Sequence, residues 1–170
     1  MGATGVNCPV EISTILMLAL ILAVALPAVW IDTRERRIPN ILVLVTLALG
    51  VLFQLWAQGP NGGIAALAGV AVGTFFFLPF HVFGAMGAGD VKFMGALGAA
   101  LGPLGALVAG ALALIAGAVL GVAAFFWMQW RRTTSAADSS AHVAPPPVTT
   151  LPYAAAIAAG SLGAVWWLAA

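Results

Sequence analysis

Long apolar runs make up most of this chain, and only a few short polar or Gly/Pro-rich places interrupt them. The runs lack the two-residue alternation of a membrane strand and are rich in Ala, Leu, Val and Gly, so the pattern predicts helices and not a barrel. Six spans follow from it, near 12–31, 39–57, 62–83, 89–102, 103–130 and 150–169. The fold class expected is all-α, a polytopic membrane helical bundle forming one domain over residues 1–170. Between the fifth and sixth spans, at about 131–149, Thr133-Thr134-Ser135, Asp138-Ser139-Ser140 and Pro145-Pro146-Pro147 predict a flexible loop.

Composition agrees, since 63% hydrophobic residues with 6% charged cannot supply a water-soluble surface. The few charges then orient the bundle. Arg34, Arg36 and Arg37 follow the first span, Lys92 opens the fourth, and Arg131 and Arg132 close the fifth, so every Lys and Arg falls on one side. By the positive-inside tendency that side is the cytoplasm, which predicts an N-out, C-out topology. The span 89–102 is short for a ~30 Å core, yet a re-entrant segment there would send Arg131 and Arg132 outside, so it counts as a crossing. Ala23-Val24-Ala25 imitates a leader cleavage site, but no Lys or Arg precedes the apolar stretch and three Arg follow it. An uncleaved anchor is therefore expected, with Asp32 at its cytoplasmic end. The single Cys8 excludes an internal disulfide, and no Cys/His cluster has zinc spacing. No nucleic-acid partner is expected.

Candidate chemistry rests on two of the five acidic residues, Asp32 and Asp90, which stand beside almost continuous apolar sequence. A carboxylate at a helix centre costs ~2.5–3.5 kcal/mol on insertion scales, so such residues tend to mark working sites. Both map to the cytoplasmic interface and can meet if the first and fourth spans are neighbours. Two carboxylates at hydrogen-bond distance share a proton, and one then serves as base while the other serves as acid. Titration belongs to the pair and not to either residue. Gly87 and Gly89 before Asp90 allow unusual dihedrals and close approach of a second backbone. At about 100° per residue, Gly95, Gly98 and Gly102 form a small-residue seam on a flank roughly 80–140° from Asp90, whereas Lys92 points about 200° away.

Each feature has an ordinary alternative. A lone interfacial Asp is commonly a helix cap or a flank, the Arg cluster a topology signal or anionic-lipid contact, and Lys92 a snorkelling side chain. His81, near the end of the third span, could join Asp32 and Asp90 as metal ligands, although an interfacial His is commonly just solvated. The spacings Gly69-xxx-Gly73 and Gly117-xxx-Gly121 are helix-packing signals, and Trp30, Trp56, Trp127, Trp130, Trp166 and Trp167 fit an aromatic belt.

Three blocks carry a family resemblance: Asp32 with Arg37-Ile38-Pro39-Asn40, then Gly87-Ala88-Gly89-Asp90-Val91-Lys92, then Leu151-Pro152-Tyr153-Ala154-Ala155-Ala156. In these the chain resembles the type IV prepilin peptidases, membrane aspartyl peptidases with a GxGD motif, and particularly the short form of tight-adherence (Flp-type) pili. The resemblance implies that Asp32 and Asp90 are the catalytic pair, supported by Gly87, Gly89, Lys92, Arg37, Pro39 and Asn40, with no cofactor and no metal. It implies a prepilin or pseudopilin substrate cleaved at the cytoplasmic face of a bacterial inner membrane, beside membrane lipid and pilus-assembly machinery. The cytoplasmic CxxC segment of longer, methylating relatives is missing from the sequence, so methylation is not expected. A small proton-coupled transporter and a non-enzymatic pilus-assembly protein are the alternative readings; a transporter would place its acids nearer the midplane.

Overall fold

The computed structural model describes residues 8–35, 38–84, 86–135 and 153–169, which form helices α1 (Cys8–Glu35), α2 (Asn40–Gln58), α3 (Pro60–Val82), α4 (Ala88–Ser135) and α5 (Tyr153–Ala169). No strand occurs among the described residues, so the all-helical expectation holds. Four stretches are long and apolar enough to cross a membrane, Ile12–Glu35, Asn40–Gln58, Pro60–Val82 and Ala88–Trp127, while α5 is a shorter apolar helix. The protein is a multi-pass membrane protein, and its outward surface is accordingly apolar: Leu44, Leu52, Ile64, Leu67 and Phe75 are all largely exposed.

Within α4 the helix breaks at Gly102, whose φ of 71° and ψ of 179° are non-helical. Two neighbouring residues cause the break. Pro103 disfavours helical geometry in the residue before it, and only glycine enters the positive-φ region without steric cost. The N-arm (88–101) and the C-arm (103–135) therefore separate where the sequence divides its fourth and fifth spans. A break frees carbonyl groups, and a buried polar side chain answers one of them. Gln54 Nε2 donates to the Ala100 carbonyl at 3.1 Å, and Gln58 Nε2 in turn donates to Gln54 Oε1 at 2.9 Å. An amide placed in an apolar bundle is costly unless bonded in this way.

The N-arm is the centre of the core. Val91, Phe93, Met94, Leu97 and Leu101 are buried on it, together with Ala96, Ala99 and Ala100. Backbone nearly touches backbone around it: a Cβ on Gly69 of α3 would collide with the Gly98 carbonyl oxygen, and one on Gly98 would collide with that of Gly69. One turn along, a Cβ on Gly73 would lie 2.8 Å from the Met94 carbonyl oxygen. The expected seam is present, with Gly95 against the Thr74 side chain, Gly98 against Gly69 and Gly102 against the Gln54 amide. On the α2 side, a Cβ on Gly50 would come within 2.8 Å of Ala100 N. The tryptophans expected in the belt are exposed near helix ends.

Several boundaries differ from expectation. Helix α1 continues through Arg34 to Glu35, so Asp32 lies in its last turns instead of just after it; a helix end need not coincide with the end of an apolar run. Pro60 occupies the first turn of α3 and shortens the expected 58–61 connection to Gly59, at φ 63°. Residues 131–135 of the expected loop are helical, the end of α4, and the rest of it lies outside the described residues.

The Gly69–Gly98 contact makes a stability prediction. Gly98→Ala should lower the unfolding free energy in detergent micelles by about 1–3 kcal/mol through overpacking. Gly63→Ala, whose Cβ would meet only Leu55 Cδ2 at 3.4 Å, should change it by less than about 1 kcal/mol. Denaturant titration of both variants checks this, and equal effects would contradict the packing.

Candidate functional site

At one end of the bundle, α1 finishes, α2 begins, and α4 and α5 both start. A cleft of about 290 Å³ opens there, lined by Asp32, Ile38, Asn40, Gly87, Ala88, Gly89, Asp90 and Lys92. The structure thus gathers Asp32, Asp90, Asn40, Gly87, Gly89 and Lys92 of the expected site residues. Pro39 sits between Ile38 and Asn40 as the cap of α2, in extended geometry (φ −66°, ψ 137°), and its carbonyl accepts the Leu42 N–H at 3.0 Å. Arg37 lies outside the described residues.

Asp90 occupies the first turn of α4, where a negative side chain meets the positive end of the helix dipole. Its carboxylate folds back to accept the Gly87 N–H, while its own N–H donates to the Gly87 carbonyl at 3.2 Å. This is the acidic half of a capping box, which fixes the side chain at the mouth of the helix. Gly87 leaves room for that turn, since a Cβ there would stand 3.2 Å from Asp90 Oδ2. Asp32 is held from another direction. The Ala154 N–H, in the first turn of α5, donates to Asp32 Oδ2 at 3.4 Å, so an N-terminal helix end faces this carboxylate. The two acids are close enough for direct electrostatic interaction across the cleft.

Gly89, next to Asp90 in sequence, also lines the cleft. A Cβ built on it would lie 3.5 Å from Ile38 Cβ, which brings the α1–α2 linker into van der Waals contact with the start of α4.

Lys92 is reached by the same cleft. A wheel turns it about 200° from Asp90, yet it lines the same cleft. His81 goes elsewhere: its Nδ1 is 3.0 Å from the Met86 carbonyl oxygen, and it does not line the cleft. Among the described residues, no group of three His, Cys, Asp or Glu is placed to hold a metal ion, so the three-ligand alternative with His81 is not assembled there.

Sequence reasoning missed two contributions. The Ala154 backbone N–H reaches Asp32 from a block whose side chains carry no chemistry, and the only signal for it was a proline before an apolar helix. Gln54, which braces the break in α4, could have been found as a glutamine in the middle of a membrane span. Chemically, the cleft offers two carboxylates, each with a backbone donor, with a lysine in the same lining. Such a set can hold a water molecule and exchange protons with it.

Residues 15–122 match the family model described as the type IV leader peptidase family, over a stretch that includes both Asp32 and Asp90 and ends before α5. No curated protein and no solved structure matches.

The contact between Ile38 and Gly89 can be tested by cross-linking. In a Cys8→Ser background, Ile38→Cys with Gly89→Cys places two Cβ atoms about 3.5 Å apart, within disulfide range. Mild oxidation should form the internal disulfide rapidly, seen as a reducible gel shift or by mass. Two free thiols remaining in folded protein would mean that the linker does not lie against α4.

Proposed function

The chain belongs to the type IV leader peptidase family, and from that premise we propose that it is an aspartyl endopeptidase with Asp32 and Asp90 as its catalytic pair. Its substrates are prepilins or pseudopilins of the Flp type, in keeping with the resemblance of the three sequence blocks. The enzyme is a single membrane domain in a bacterial inner membrane, with the cleft toward the cytoplasm, and it uses neither a cofactor nor a metal. The observation that carries the reading is that both acids line one cleft, each held by a backbone N–H.

The pair shares one proton. The ionised carboxylate accepts a proton from a water held between the two, and the water oxygen attacks the carbonyl carbon of the scissile peptide bond. The proton on the other carboxylate moves toward the carbonyl oxygen as charge develops there. When the tetrahedral adduct collapses, the C–N bond breaks and the leaving nitrogen takes a proton from the pair, which returns the dyad to its starting state. Gly87 and Gly89 leave space for an extended peptide beside Asp90. Asn40 and Lys92 offer an amide and an ammonium to its backbone carbonyls.

Two further points favour this reading. The basic residues Arg34 and Lys92 sit at the cleft end of the bundle, the arrangement that the positive-inside tendency gives to a cytoplasmic face. A proton-coupled transporter would use acids nearer the midplane on broken helices, whereas the broken helix here carries its acid at its outer end and its break at the other.

Replacing either acid by its amide removes a proton-transfer role and leaves the shape intact. Asp32→Asn and Asp90→Asn should each lower kcat/KM for leader removal by at least about 100-fold. Both should remain folded and inserted, as judged by circular dichroism and gel filtration in detergent. Near-normal cleavage of a cognate prepilin by either variant would remove that residue from the mechanism.

A further inference from the structure

His81 stands in the last turn of α3, outside the cleft, and takes no part in the cleavage steps. Its hydrogen bond nevertheless leads to Asp90. The chain leaves α3 through Gly84, whose φ of 74° lies in the region that glycine enters without steric cost, and the Gly84 N–H donates to the His81 carbonyl at 2.9 Å. This turn brings the Met86 backbone to the imidazole. The Met86 side chain is buried in the hydrophobic core, while its carbonyl oxygen lies 3.0 Å from His81 Nδ1. A carbonyl oxygen can only accept, so Nδ1 is the ring nitrogen that carries the proton and donates it.

The Met86 carbonyl and the Gly87 N–H are the two ends of one peptide group. That N–H is the donor to the Asp90 carboxylate. In a planar trans peptide the C=O and the N–H point in opposite directions, so His81 and Asp90 hold the same group from opposite sides. Each bond polarises the group in the sense that strengthens the other. The burial of Met86 fixes where its Cα lies but not how the next peptide plane is turned, and glycine at 87 leaves that plane easy to rotate. The imidazole supplies the missing restraint.

We propose that His81 is a positioning residue for Asp90, acting through the Met86–Gly87 peptide, whose plane its Nδ1–H fixes so that the Gly87 N–H meets the carboxylate. Its effect on cleavage rests on the reading of Asp90 as one of the catalytic pair, whereas its effect on the Gly87 amide rests on the two hydrogen bonds alone. Without the imidazole donor the peptide plane swings, and the carboxylate spends less time in the orientation that exchanges a proton with water. Peptide binding is spared, because His81 does not line the cleft.

Two variants of the full chain separate the donor from the ring. His81→Phe keeps a planar ring and removes the donor, while His81→Asn removes the ring and keeps an N–H donor two bonds from Cβ, where Nδ1 stands. With a prepilin-type peptide, His81→Phe should lower kcat by about 10-fold with KM changed by less than about 2-fold, and His81→Asn should keep kcat within about 3-fold of the original chain. The Gly87 amide proton, read by NMR of labelled protein in micelles without peptide, should move upfield in His81→Phe and stay in place in His81→Asn. Unchanged kcat or an unmoved Gly87 amide in His81→Phe would overturn the proposal. Equal losses in the two variants would overturn it too, since the ring would then act by packing. If the original chain cleaved no prepilin-type peptide, the peptidase reading would fail, and the amide shifts would still decide whether His81 holds the Gly87 peptide.

Discussion

Backbone contact between Gly69 and Gly98 holds the N-arm of α4 in the middle of the bundle, and the position of Asp90 follows from it. Helices in lipid gain little from hydrophobic association, so close packing of small residues is what binds them. Here the packing is close enough that neither position accepts a Cβ without displacing backbone. A short helix buried on nearly every side cannot also supply a polar surface. Its polar residues are confined to its start, at the cleft, where Asp90 caps its own helix and Lys92 lines the same cleft.

The break at Gly102 lets one continuous segment be both the core and a wall. Pro103 and the positive φ at Gly102 end the N-arm, Gln54 satisfies a carbonyl that the break exposes, and the C-arm returns toward the cleft end alongside α5. That return is what brings α5 to Asp32. Tyr153 seats in the space that Gly117 leaves, and the adjoining Ala154 N–H points at the carboxylate. The two acids are thus fixed by different helices through the same device, a backbone N–H in the first turn of a helix. That device holds a carboxylate through one hydrogen bond and leaves it further acceptor capacity.

Much of this was legible in the residues. The apolar runs gave the helices, the Gly102-Pro103 pair gave the division of α4, and the Gly95, Gly98, Gly102 spacing gave the seam, because each depends on local rules of hydropathy, dihedral preference or helical period. The meeting of Asp32 with Asp90 was an inference from topology, and the shared cleft agrees with it. Lys92 lines the cleft with the acids although a helical wheel turns it away from Asp90. The role of Ala154 was invisible because a backbone donor has no residue type. The extents of α1 and α4 were also missed, since charged and aromatic residues end an apolar run without ending a helix.

The central claim is that two carboxylates act as one proton-sharing unit on the peptide bond. The dependence of kcat/KM on pH, measured with purified protein and a prepilin-type peptide over the range in which the fold is intact, tests it most directly. A shared-proton pair predicts a bell, because activity requires the singly protonated dyad and is lost when the pair gains or loses a further proton; both limbs are macroscopic constants of the pair. A profile with only one limb, or one that is flat across the carboxylate range, would contradict the account.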